Sequence, residues 1–216
     1  MASTMKLTCT ADVGISELYS GNAYNTSTRL AFGIGSGTSD EYYALLKFGS
    51  LGLDTGAYNI TSAKLTVTKI SGDLGYNATF NAKAVRITSS WSESTTWSSK
   101  PSTTTTGQSA AVSMGTGHSG SVTFDVTDIV QAWADGSSNY GIQLMHSGTT
   151  ASNIKCIADR TSSSAAYITV TYEPKGVVYI ANGSSFDAYE VYIANGSSFD
   201  RYIPYIANGS SFDVCG

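Results

Sequence analysis

"AAYITVTYE", residues 165–173, sets the fold. Ile168, Val170 and Tyr172 alternate with Tyr167, Thr169 and Thr171, the period of two that turns one side of a strand to a core and the other to water. The run is bounded by Ser-rich sequence before it and Pro174 after it, and β-branched and aromatic residues fill it. Working back along the chain, "RLAFGI" (29–34), "YALLKFG" (43–49), "AKLTVTKI" (63–70), "FNAKAVRIT" (80–88), "SVTFDV" (121–126), "YGIQLMH" (140–146) and "IKCIA" (154–158) read as further short strands. Gly, Ser, Asn and Asp clusters separate them, as in a β-sandwich or jelly roll.

One segment departs from this rhythm. In "FDVTDIVQAWADG" (124–136) Val126, Ile129, Val130 and Trp133 fall at helical spacing, with Asp125 at the N-cap position and Gly136 at the end. A helix of two to three turns laid on the sheet follows, with Trp133 in the core.

Composition supports a β protein and narrows its partners. Only 13% of the 216 residues are charged, there are 22 Gly and three Pro, and the net charge is −4. Such a chain has no basic field to attract phosphates, so nucleic acid is not expected as a partner. The opening "MASTMKLTCTADVG" has no charged leader followed by an apolar run, and no stretch reaches the eighteen apolar residues of a membrane span, so the reading expects cytosolic synthesis and no membrane partner. Cys9, Cys156 and Cys215 are odd in number and widely spaced, which suggests buried thiols and neither disulfides nor zinc.

Catalytic and cofactor signatures are not met. "GHSGS" (117–121) leads into a strand and lacks the fifth-position Gly of a nucleophile elbow, and His118 and His146 stand in separate segments. Asp12, Asp40, Glu41, Asp54 and Asp73 lie in Gly- and Ser-rich loops without the alternating donors of a calcium loop, so no metal ligands are assigned. The chain reads as a non-enzyme without a cofactor. Trp91 and Trp97 of "WSESTTW" are six apart, on one face of an extended segment, and are the candidate glycan-stacking pair; framework packing is the competing role.

Four blocks in order, "YYALLKFGSLGLDTGAYNITSAKLTVTKI" (42–70), "VRITSSWSESTTWSSKP" (85–101), "SVTFDVTDIVQAWADGSSNYGIQLMHSG" (121–148) and "DRTSSSAAYITVTYE" (159–173), carry a resemblance to the DNRLRE domain, a jelly-roll-like module also classed among carbohydrate-binding modules. The resemblance spans residues from about 11 to 173 and implies a sandwich fold, a framework role for the Trp-x-Glu…Thr-Trp pattern, and internal bonding of Glu93. Lys47, Phe48 and Gly49 stand where the family commonly has Arg-Phe and Asp, so the core positions match better than the polar ones.

The C-terminal stretch is of another kind. "YIANGSSFD" occurs three times at a spacing of thirteen, beginning at Tyr179, Tyr192 and Tyr205. Asn-Gly is a strong two-residue hairpin signal, which predicts turns at Asn182-Gly183, Asn195-Gly196 and Asn208-Gly209. Those turns oppose Tyr179 to Phe186, Tyr192 to Phe199, Tyr205 to Phe212 and Glu190 to Arg201, in a small antiparallel meander apolar on both faces. Pro204 interrupts it, because an inner strand needs the missing N–H, so separate hairpins are the alternative. An apolar ribbon of this kind needs cover, and the six aromatics are the candidate oligomerisation residues, a homotrimer being favoured. The nonapeptide also resembles a C-terminal repeat of proteins from phages and prophages of Gram-positive gut bacteria.

The expectation is an all-β chain: a jelly-roll-like β-sandwich with one short helix over residues 1–174, then a repeat of β-hairpins over 175–216 serving oligomerisation or attachment. It implies a virion structural protein, an appendage, fibre or decoration among other virion proteins, with a surface for host glycans. The alternative is a bacterial carbohydrate-binding module at the cell surface or in a secreted protein.

Overall fold

The computed structural model describes residues 2–23, 29–35, 40–71, 79–148 and 153–175, together with the backbone of 177–182, 185–195, 198–202, 205–208 and 211–214. Strands β1 (Ser3–Ser16), β2 (Arg29–Ile34), β3 (Glu41–Phe48), β4 (Tyr58–Ile70), β5 (Asn81–Ile87), β6 (Thr103–Thr104), β7 (Val112–Ser113) and β8 (Ser121–Asp125) precede helix α1 (Thr127–Ala134). Strands β9 (Ile142–His146), β10 (Asn153–Ala158) and β11 (Tyr167–Pro174) complete the body.

All eleven strands belong to one hydrogen-bonded sheet, nine of them in the order β1-β11-β4-β10-β2-β3-β9-β5-β6, with β7 added on β5 and β8 on β4. It folds into two layers because two strands serve both. The first half of β1 pairs with β11, from Ser3↔Tyr172 to Thr8↔Tyr167, and the second half pairs with β3, from Cys9↔Phe48 to Ser16↔Tyr42. A bulge between Cys9 and Ala11 marks the change of layer, as bulges do at sandwich corners. At the opposite corner β4 leaves β11 and meets β10 through Lys69 and Ile70.

The main core lies between the layers. Phe32, Leu46, Ala63, Leu65, Phe124, Ile142, Leu144, Ile168 and Val170 are among its buried side chains, and α1 closes one side with Ile129, Val130 and Trp133. The alternation read in β11 holds: Ile168 and Val170 are buried while Tyr167, Thr169 and Thr171 are partly open. Tyr172 meets Tyr58 edge-on at 5.5 Å.

The helix starts one residue later than the sequence suggests. Its N-cap is Val126, and Asp125 is the last residue of β8. The Asp125 carboxylate still accepts the Thr127 N–H at 3.1 Å and the Thr127 hydroxyl at 2.6 Å, satisfying one of the free amides of the first turn. Gly136, at φ 103°, ends the helix as expected.

The C-terminal strands are β12 (Val177–Asn182), β13 (Ser185–Asn195), β14 (Ser198–Tyr202), β15 (Tyr205–Asn208) and β16 (Ser211–Val214). They do form hairpins, but the register is not the one the Asn-Gly pairs predict. Asn182 pairs with Ser185, Asn195 with Ser198 and Asn208 with Ser211. Tyr179 therefore opposes Ala188, Tyr192 opposes Arg201, Phe212 opposes Ala207 and Glu190 opposes Val177, and the Tyr-Phe pairs are not made. The two residues between paired ends are Gly-Ser in sequence, and Gly at the first loop position is the other strong hairpin preference.

The meander is likewise replaced. Ser185–Glu190 of β13 pairs back to β12 and Val191–Asn195 pairs forward to β14, while β15 and β16 form a sheet of their own. The pairing thus divides before and after Pro204. Gly183, Gly196 and Gly209, and the side chains of Tyr179, Phe186, Tyr192, Phe199, Tyr205 and Phe212, lie outside the described residues.

Candidate functional site

The outer side of β3 carries a second, smaller core. Tyr43 and Leu45 point away from Ala44 and Leu46 and join Val13, Ile15 and Ile87, which are buried although they face out of the sandwich. What packs on them is the segment after β5, with Trp91, Trp97, Tyr140 and Met145.

The segment is not extended. The Thr95 amide donates to the Ser92 carbonyl at 2.9 Å and the Ser92 amide to the Thr95 hydroxyl at 3.1 Å, making a turn. A single 3-10 turn follows over Trp97–Ser99, where Thr96 and Ser99 cap one another. The two tryptophans reach the same small core through that turn and not through strand alternation.

Their environments differ. The Trp91 indole N–H donates to the Tyr140 carbonyl at 2.6 Å, so its polar handle is satisfied and the ring serves the framework. Trp97 is half-buried and tilts against the Tyr43 ring at 4.8 Å, and the Lys100 ammonium stands 3.7 Å from its centroid. Tyr43 donates its hydroxyl to Glu41, and burial followed by that carboxylate pushes its pKa up, so it stays a neutral phenol. The ammonium lies over the ring face, so a sugar ring that stacks there must displace it, and the displaced ammonium can then meet the sugar hydroxyls.

Beside this ledge an ionic tie fixes the loop to the corner of the sandwich. Arg160 donates from Nε to Glu93 Oε1 at 2.6 Å and from a terminal nitrogen to Oε2 at 3.1 Å, a two-pronged pairing. Glu93 also accepts the Asp12 amide at 3.3 Å, and Asp12 accepts the Arg160 amide at 2.6 Å. The Arg160 bond holds the Glu93 carboxyl below its ordinary range. Burial, with Asp159 nearby adding to it, raises Asp12 to about 6. Burial likewise pushes the Cys9 thiol up to about 12, so it is inert at neutral pH.

Internal bonding of Glu93 was legible through the resemblance. Its partner was not, since Arg160 lies 67 positions away and no spacing rule joins them. Tyr43 was missed for the same reason, whereas Lys100 stands three residues after Trp97 and is brought over its ring by the 3-10 turn, which the extended reading of the segment did not foresee.

The remaining sequence candidates stay dispersed. His146 stacks on Phe80 at 5.0 Å and its Nδ1 lies against the Gly148 backbone, whereas His118 sits in the bend before β8. Asp40 is bonded by Tyr42, Asp54 is exposed, and Asp73 lies outside the described residues. Among the described residues no group of three or more His, Cys, Asp or Glu side chains is arranged to hold a metal ion, and no helix is long and apolar enough to cross a membrane.

No curated protein matches the chain at a significant level. A family model does, over residues 3–172, from the start of β1 to within two residues of the end of β11. On that match, which takes in the whole sandwich with its ledge and its ionic tie, the chain belongs to carbohydrate-binding module family 96.

Proposed function

We propose that this protein is a non-catalytic glycan-recognition module displayed as an oligomer by its hairpin tail, and that Trp97 with Lys100 forms a glycan contact. The observation that carries the reading is the extent of the family match, which covers the complete sandwich. Trp97 and Trp91 are both half-buried against the same small core, and Trp97 is the one whose ring meets the Lys100 ammonium and whose indole N–H is not spent on a neighbouring carbonyl as that of Trp91 is on Tyr140. A sugar stacking on Trp97 exchanges places with the ammonium, whose three N–H groups then meet ring hydroxyls.

The setting we favour is a virion appendage of a phage or prophage, in which the repeats join copies and the sandwich touches host-surface glycans. The repeated nonapeptide supports this setting, and a homotrimer is the favoured state. A bacterial cell-surface or secreted protein is the alternative setting, supported by the family match itself.

A glycan array probed with the full chain tests the recognition, and mass measurement in solution tests the assembly. The expected results are binding to a discrete glycan set, loss of that binding in Trp97→Ala with the fold retained, and a mass of several chains. A silent array overturns recognition, and a monomer overturns display by assembly.

A further inference from the structure

Among the described residues, Leu18 and Tyr19 are the large apolar side chains left exposed, at 60% and 48%. Single exposed apolar residues are ordinary on a protein surface, so it is their place that gives these two a meaning. They are neighbours on the turn that follows β1, and that turn lies against the Trp97 ledge.

The turn is pinned in several places. The Glu17 amide donates to the Glu41 carbonyl at 2.9 Å, the Tyr19 amide to the Ser16 hydroxyl at 3.4 Å, and the Asn22 amide to the Tyr19 carbonyl at 3.0 Å. Ala23 then bridges back to Ile15 and packs on the small core that Trp97 shares. The link to the ledge is direct: the Ser98 amide, in the 3-10 turn that begins at Trp97, donates to the Ser20 carbonyl at 3.1 Å. Tyr19 and Trp97 each stand one residue from that bond. With consecutive Cα atoms about 3.8 Å apart, their own Cα atoms lie within about 15 Å of one another, a span in reach of linked sugar rings.

The charges along this surface differ in sign. Lys100 stands over Trp97 at one end. At the root of the turn Glu17, Asp40 and Glu41 gather: Glu17 and Glu41 both act on the Tyr43 phenol, Glu17 acts on Asp40, and Asp40 accepts the Tyr42 hydroxyl at 3.2 Å. Arg160, the nearby cation on the other side of the ledge, is spent on Glu93. A uniformly anionic chain is attracted at Lys100 and opposed at the turn, whereas sugar hydroxyls donate to carboxylates and accept from an ammonium. Exposed phenol and leucine side chains offer the apolar side of a sugar ring a face to rest on.

We propose that Tyr19, with Leu18 beside it, is a second stacking position for a neutral oligosaccharide, whose chain runs from the Trp97 ring onto the turn after β1. The proposal rests on the glycan contact at Trp97 and adds to it the length and charge of the ligand.

The test uses the ¹⁵N-labelled full chain, whose three tryptophans give three indole N–H signals, that of Trp97 being the one missing from Trp97→Phe. Cellohexaose, mannohexaose and N-acetylchitohexaose are each titrated beside their own monosaccharide, with hexamannuronate as the charged comparison. At least one neutral hexaose should move the Trp97 signal and bind about tenfold or more tighter than its monosaccharide, because the second contact is made within the same complex. In Tyr19→Ala, which changes an exposed side chain and should melt as wild type does, that ratio should fall to about one. Tyr19→Phe, which keeps the ring, should restore it. A hexaose no tighter than its monosaccharide, a ratio unchanged in folded Tyr19→Ala, or hexamannuronate bound as tightly as the neutral chains overturns the second position. In each of those cases a Trp97 signal that still responds leaves the first contact standing, whereas a Trp97 signal unmoved by every probe overturns both.

Discussion

Asp12 is a buried carboxyl at the point where β1 changes layer, and its surroundings make stability depend on pH. Its folded pKa of about 6 lies above the ordinary value of 3.8, so the native state holds a proton that the unfolded chain has lost. Stability from this residue is present below about pH 4 and falls as pH rises to about 6. Glu93 and Asp125 act in the opposite sense, since Arg160 and Lys64 lower their pKa values, and their contributions fade in acid. We predict that Asp12→Asn, which keeps an oxygen for the Arg160 amide, flattens the decline between pH 4 and 6. It should also raise stability at pH 7 by about 1 kcal/mol, a figure discounted for screening at the corner. Urea unfolding at pH 4, 6 and 7.5 checks this, and parallel profiles for variant and wild type contradict it. None of this was readable in the sequence, where Asp12 is one loop acid among several and Arg160 is remote from it.

At the scale of elements, α1 and most strands of the body were legible from their apolar patterns, but β1, the longest, and the two-residue β6 and β7 were not, β1 because it changes layer midway and the others because they are too short to show a period. Boundaries were less so: Asp125 looks like an N-cap, yet it stays in β8 paired with Lys64, both in the ladder and through an ion pair at 2.5 Å. Asp125→Ala should cost about 0.5–2 kcal/mol through the lost bonds to Thr127, measured by chemical denaturation. The hairpin register was misread because Asn-Gly and Gly-Ser both satisfy a two-residue loop, and a shift of one residue exchanges every partner. Close packing gives a sharper expectation at Gly141, which has φ 98° and would put a Cβ 2.2 Å from the Leu46 carbonyl oxygen. Gly141→Ala should destabilise by about 2–3 kcal/mol, while Gly49→Ala, with nothing within 4 Å, should stay within about 0.5 kcal/mol of wild type. Equal melting temperatures for the two variants would refute that contrast.

For the whole molecule, the sandwich is stable by its own closure: β1 and β4 each bridge both layers, and Lys175 is tied to Ala57 and Asp135 at the point where the body ends. A chain stopped after residue 175 should therefore keep the thermal unfolding of the body and lose the mass of the assembly. Calorimetry and light scattering on the two lengths check this. The binding surface was only half legible. The tryptophans announced themselves by type and spacing, but Tyr43 meets Trp97, and Arg160 meets Glu93, only because the segment after β5 packs back across β3 and the corner of the sandwich. Glycan recognition by the sandwich is the claim on which the account turns, and an array of surface glycans probed with the intact chain and with the chain stopped after residue 175 tests it most directly. The account predicts one set of glycans for both, with the intact chain retained more strongly through multivalent attachment. Folded protein of either length that binds no glycan at micromolar concentration would contradict it.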